Sequence, residues 1–113
     1  TPMREFLFVD DMAKAVVFAL ENKLPDYLYN VGTGQDLTIK HLAETIQKIT
    51  GHQGEIVWDS SKPDGTPRKL MDISKMHALG WKHQVQLEEG IQKTYDWFVA
   101  NIQSVKKITL INK

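Results

Sequence analysis

Cysteine is absent from this 113-residue chain. Disulfides, thiolate metal sites and cysteine nucleophiles are therefore excluded within it. No excess of one charge is present: 14 basic residues face 14 acidic ones. A bulk electrostatic grip on nucleic acid or on an anionic membrane is not expected. No apolar run approaches the roughly 20 residues that cross a bilayer. Histidine is sparse, and His41, His52, His77 and His83 lack the spacing of a helical metal site. Each reads as a surface or half-buried histidine, and no metal is expected. Proline occurs four times, two of them in one short segment.

That segment, Ser-Lys-Pro-Asp-Gly-Thr-Pro-Arg-Lys-Leu from Ser61 to Leu70, cannot be a helix interior. Pro63 and Pro67 each remove a backbone donor and fix φ, and Gly65 relaxes the chain between them. It is too polar for a core. It reads as an ordered surface loop carrying Lys62, Asp64, Arg68 and Lys69. Such a loop is either a solvated charged turn or a grip for a polar, anionic ligand.

The rest of the chain alternates short strands with helices. Phe6–Val9 is a continuous apolar run and predicts a buried strand. Asp10 or Asp11 can then cap a helix whose stripe is Met12, Ala15, Val16, Ala19 and Leu20, ended by Pro25. Tyr27–Val31 predicts a second strand, closed by Gly32-Thr33-Gly34. Thr38 is an N-cap for a helix with inner face Ile39, Leu42, Ala43, Ile46 and Ile49, stopped by Gly51. Glu55–Trp58 predicts a short strand. Ser74 can cap one or two turns through Leu79, with Gly80 as the stop. A last helix is expected from about Leu87 to Val105, with Leu87, Ile91, Tyr95, Phe98 and Ile102 on one side. Residues 106–113 form a tail. Trp81 reads as packing, Trp97 as core or interface, and Trp58 as a candidate for stacking on a base.

Gly32-Thr33-Gly34 has the first two glycines of a dinucleotide-binding turn, but position 37 is Leu37. The helix also starts several residues too late. A tight turn leaving a strand is the simpler account, and no cofactor-binding residue is assigned.

Four pieces taken together carry a family resemblance. They are Met3-Arg4-Glu5-Phe6-Leu7-Phe8-Val9-Asp10-Asp11-Met12, Asn30 to Gly34, the Ser61–Leu70 loop, and Leu79-Gly80-Trp81. From Thr1 to about Asn101 the chain resembles the C-terminal part of the GDP-L-fucose synthase family, within the extended short-chain dehydrogenases. Arg-Glu-Phe and Leu-Gly-Trp recur across nucleotide-sugar epimerases and dehydratases, whereas the Pro-Gly loop is particular to the fucose synthase branch. The resemblance implies an α/β fold: residues 1–105 as a small substrate-binding lobe with short strands and three to four helices, of the NAD(P)-binding Rossmann-like superfamily. The cofactor domain is expected outside this chain. Thr1-Pro2-Met3-Arg4, lacking an initiator methionine, reads as a piece cut from a longer protein.

In that family the whole enzyme takes GDP-4-keto-6-deoxy-D-mannose, inverts C3 and C5, and reduces the C4 ketone with NADPH. The resemblance implies NADPH bound by the missing N-terminal domain, a GDP-sugar substrate, a homodimer and a cytoplasmic location, with neither nucleic acid nor membrane as partner. The family's Tyr-x-x-x-Lys relay has no counterpart: Val31, Thr33 and Val99 stand four residues after Tyr27, Tyr29 and Tyr95. Nor is there the cysteine that the family uses in epimerisation. No catalytic residue is assigned, and the chain alone is expected to be inert. The resemblance places Arg4 at the substrate diphosphate or sugar, against a salt bridge to Glu5, Asp10 or Asp11. Asp64 suits ribose hydroxyls or the donor edge of guanine, against an Asx-turn with Gly65. Lys62 and Arg68 either add charge near a phosphate or are simply solvated. The alternatives are a lobe of another nucleotide-sugar epimerase or dehydratase with a UDP or dTDP substrate, and a non-catalytic interaction domain.

Overall fold

The computed structural model describes residues 2–104. A three-stranded sheet, in the order β2-β1-β3, organises the candidate site. Its middle strand, β1, is Met3–Glu5. Strand β2, Asp36–Thr38, pairs with β1 antiparallel, setting Arg4 opposite Leu37 and Glu5 opposite Asp36. Strand β3, Arg68–Lys69, is the last limb of the Pro-Gly loop and pairs with β1 in parallel.

The expected strand at Phe6–Val9 is displaced upstream. Its residues divide among different neighbours instead of lining one face. Leu7 packs on the core, and Phe8 lies against Gly90. Phe6 stays exposed, and Val9 already begins helix α1, Val9–Glu21. An apolar run identifies burial but not extension, and here three of its residues form a connector. Neither aspartate caps α1. The N-cap is Phe8, and Asp10 and Asp11 stand in the first turn, where negative charge complements the helix dipole. The helix ends at Glu21, before Pro25 is reached.

The predicted apolar stripe of α1 is also split. Ala15 is buried, whereas Met12, Val16 and Leu20 are exposed. The face turned inward holds Asp11, Ala15 and Phe18.

Tyr27–Val31 and Glu55–Trp58 are not strands. Tyr29 and Val31 pack on the core as irregular chain, and the Tyr29 hydroxyl accepts from the Asp26 amide at 2.8 Å. Val57 and Trp58 are exposed. Helix α2, Ile39–Thr50, follows the expectation at both ends. The Thr38 hydroxyl accepts from the His41 amide at 3.1 Å. Gly51 closes the helix at φ 71°, a conformation that glycine adopts without strain.

Helix α3 is Ser74–Ala78, with Ile73 at its N-cap. Ser74 lies inside it; the Asp72 carboxylate receives the Ser74 amide at 3.0 Å and does the capping work expected of Ser74. Gly80 takes φ 98° after it. Helix α4, Leu87–Asn101, starts where expected and stops short of Val105. The 106–113 tail lies outside the described residues. Leu87, Ile91, Tyr95 and Phe98 of α4 face Leu42 and Ile46 of α2 across an apolar groove.

The central core is small: Ala15, Met76 and Trp81, with Leu7, Phe18, Tyr29 and Val31 against them. Trp81 is thus a packing residue, as expected. Trp97 is 60% exposed and belongs to no core of this lobe. No described helix is long and apolar enough to cross a membrane.

Candidate functional site

The site is built where β1 meets the Pro-Gly loop. Arg4 is the middle residue of the middle strand, so its backbone is fixed from both sides. Its Nη1 donates to its own neighbour, the Met3 carbonyl, at 2.7 Å. Among the described residues it makes no ion pair with Glu5, Asp10 or Asp11. Its guanidinium reaches under the loop: a Cβ placed on Gly65 would stand 3.9 Å from Arg4 Nη2. Two segments more than sixty residues apart in sequence therefore meet.

The loop is tied at each end. At its start, Asp59 Oδ1 accepts from the Ser61 amide at 3.0 Å and from the Ser61 hydroxyl. The bond from the Ser61 side chain, then that from its amide, hold the Asp59 carboxyl below its ordinary range. At its end, the Met3 amide donates to the Pro67 carbonyl at 2.8 Å, and β3 pairs onto β1. Gly65 takes φ 76° at the crest. Lys62 and Asp64 are exposed there. No hydrogen bond to the Asp64 carboxylate is found among the described residues, so an Asx-turn does not occupy it.

Arg68 stands apart from the other three candidates. Its Nε and Nη2 donate to the two oxygens of Asp36, at 2.6 and 3.2 Å. The Asp36 side chain is 6% exposed and that of Arg68 60%. This fork joins β3 to β2 across β1. A buried carboxylate without Arg68 would be strongly penalised, so the pair has a structural task.

Sequence reading missed what three polar residues of the lobe do. Glu5 accepts from the Gly34 amide at 2.6 Å, the Thr33 hydroxyl at 3.5 Å and the Met71 amide at 3.2 Å. Asp11, 1% exposed, accepts from the Gln84 and Val85 amides at 3.1 and 3.0 Å. It joins α1 to the chain before α4. His83 is 5% exposed, not half-buried as expected, and its Nδ1 has no partner among the described residues. Glu5 follows Arg4 and Asp11 follows Asp10, so local sequence marked neither as special, and their amide partners are distant in sequence. Lys75 donates to Asp26 at 2.9 Å, and this bond holds the Asp26 carboxyl below its ordinary value. Among the described residues no three His, Asp or Glu side chains cluster as metal ligands would.

Residues 1–32 match the NAD dependent epimerase/dehydratase family. A probable GDP-L-fucose synthase 1 of Oryza sativa subsp. japonica is 54% identical over 95% of this chain. The GDP-L-fucose synthase of Escherichia coli K12 is 53% identical over 89% of it. This chain belongs to the GDP-L-fucose synthase family. It spans about a third of the length of these relatives, 33% and 34% respectively. The fold agrees: a GDP-L-fucose synthetase from Naegleria fowleri, solved with NADP bound, superposes with a TM-score of 0.87 at 25% identity. The superposition covers 94% of this chain and 34% of that one. The α/β lobe expected from the resemblance is therefore the observed fold.

Proposed function

We propose that this chain is the sugar-nucleotide-binding lobe of a GDP-L-fucose synthase, with residues 1–105 forming the lobe and 106–113 a tail. The whole enzyme converts GDP-4-keto-6-deoxy-D-mannose to GDP-L-fucose by C3 and C5 epimerisation and C4 reduction. NADPH supplies the hydride and binds to the part of the enzyme outside this chain. A homodimer in the cytoplasm completes the reading.

The observation that carries it is the meeting of Arg4 with the loop. Among the described residues Arg4 has no carboxylate partner and Asp64 no donor, yet the fold brings their segments together. An unpaired guanidinium on a fixed strand suits a diphosphate, since it forks two charge-assisted bonds and never deprotonates. Asp64 on the crest suits two adjacent donors, as on a ribose diol or the guanine edge. Lys62 adds a mobile positive charge at the rim. Arg68 adds charge behind it, with its own fork already committed to Asp36.

The chemistry follows from that division of labour. Abstraction of a proton beside the ketone and hydride delivery need the sugar held still against groups on another part of the enzyme. Anchoring the nucleotide here fixes the sugar without a reacting group in this lobe. The test is turnover by the full-length protein containing this chain. NADPH oxidation is followed with GDP-4-keto-6-deoxy-D-mannose and with its UDP and dTDP counterparts. The reading expects oxidation with the GDP substrate and a marked preference for it. Equal rates with the UDP or dTDP sugar would place the chain with another epimerase or dehydratase.

A further inference from the structure

We propose that Glu5 is a positioning residue for the sugar-nucleotide site: its carboxylate sets the distance between Arg4 and the end of the Pro-Gly loop. The inference rests on the substrate reading above and gives a role to a side chain that reading does not use.

The backbone pairing that holds the loop is slight. Strand β3 has two residues and β1 three. Strands this short are weak anchors on their own. Glu5 extends the attachment past the strand. Oε1 takes the Met71 amide at 3.2 Å, just beyond the loop, and Oε2 takes the Gly34 amide at 2.6 Å. One carboxylate thereby joins β1, the Gly32–Gly34 turn and the segment leaving β3. Hydrogen bonds to an ionised acceptor are about twice as strong as neutral ones.

The glycine turn is shaped around this carboxylate. A Cβ on Gly32 would lie 2.8 Å from Glu5 Oε2, closer than atoms tolerate. Gly34 takes φ 73° and presents its amide to the same oxygen. Its open side meets Ile73, whose Cδ1 would lie 2.6 Å from a Cβ there. The two glycines that resemble half of a dinucleotide turn thus serve an internal carboxylate. Arg4 and Glu5 are successive strand residues, so they point to opposite faces. One face is left for ligand, and the other fixes the loop that covers it. Displacing a positioning contact by about 1 Å can cost a hundredfold in rate, so the linkage matters to binding although Glu5 touches no substrate.

The experiment uses the full-length enzyme with Glu5→Gln, Glu5→Asp, Gly32→Ala, and Glu5→Gln combined with Gly32→Ala. Glu5→Gln keeps the size but turns an amide NH2 toward one of the backbone N–H groups. We expect the KM for the GDP sugar to rise about tenfold, with the NADPH KM unchanged. Amide exchange should quicken at Gly34, at Met71 and through residues 61–70. Glu5→Asp, shorter but still charged, should fall between wild type and Glu5→Gln. Gly32→Ala should act in the same direction, and the double variant should add little, because both changes strike one contact. A rise in both KM values together, or a fall in thermal stability with the GDP-sugar KM unmoved, would show a scaffold role only and overturn the proposal. If the wild type fails to turn over the GDP sugar, the substrate reading fails separately. Exchange then decides the positioning role: unaltered exchange over 61–71 in Glu5→Gln overturns it.

Discussion

At the scale of single residues, the candidates were chosen where motif and chemistry pointed the same way. Among the described residues Arg4 has no ion-pair partner and bonds only to the Met3 carbonyl, and the Asp64 carboxylate accepts no hydrogen bond. Arg68 shows the limit of such reading. A basic residue in a loop looks available until its partner, Asp36, is brought alongside by strand pairing. Asp64→Ala in the full-length enzyme separates three roles. A guanine contact predicts weaker GDP-sugar binding and a smaller gap to UDP analogues. A ribose contact predicts loss for both with the gap preserved. Unchanged binding of both would remove Asp64 from the ligand contacts. Asp11 is at the opposite extreme, buried and bonded to two backbone amides. Asp11→Ala strands the Gln84 and Val85 amides and should lower stability by about 1–3 kcal/mol, read by chemical denaturation, with substrate affinity little changed.

At the scale of elements, helices were easier to read than strands. Helix α2 was fixed at both ends by local chemistry, a threonine hydroxyl and a left-handed glycine. Thr38→Ala should therefore cost about 1 kcal/mol, seen as a lower denaturation midpoint with unchanged slope. The start of α4 was also visible from its periodicity. The strands were misplaced for a physical reason. Each has only two or three residues, and their pairing is stabilised by contacts that no local pattern encodes. Apolar runs at Phe6–Val9, Tyr27–Val31 and Glu55–Trp58 looked more strand-like than Arg68-Lys69 does. The inner stripe of α1 failed for a related reason: a buried aspartate, Asp11, turns the helix so that Met12, Val16 and Leu20 face outward.

At the scale of the whole molecule, the lobe leaves much apolar surface uncovered. Val9, Val16 and Leu20 on α1 and Trp97 on α4 are each more than half exposed. The isolated chain should be inert. Mixed with NADPH and the keto sugar nucleotide, it should leave the nicotinamide absorbance at the no-protein blank, because the relay tyrosine and lysine and the epimerising cysteine implied by the family are absent from its sequence. Protein-dependent oxidation would refute that expectation. The central claim is that this lobe grips the sugar nucleotide, and Arg4→Ala in the full-length enzyme tests it most directly. Affinities for the GDP sugar and for NADPH are measured separately by titration. The account predicts roughly tenfold to hundredfold weaker sugar-nucleotide binding, the loss of a charge-assisted contact of about 1.5–3 kcal/mol, with NADPH affinity unchanged. Equal weakening of both ligands, or of neither, would contradict it.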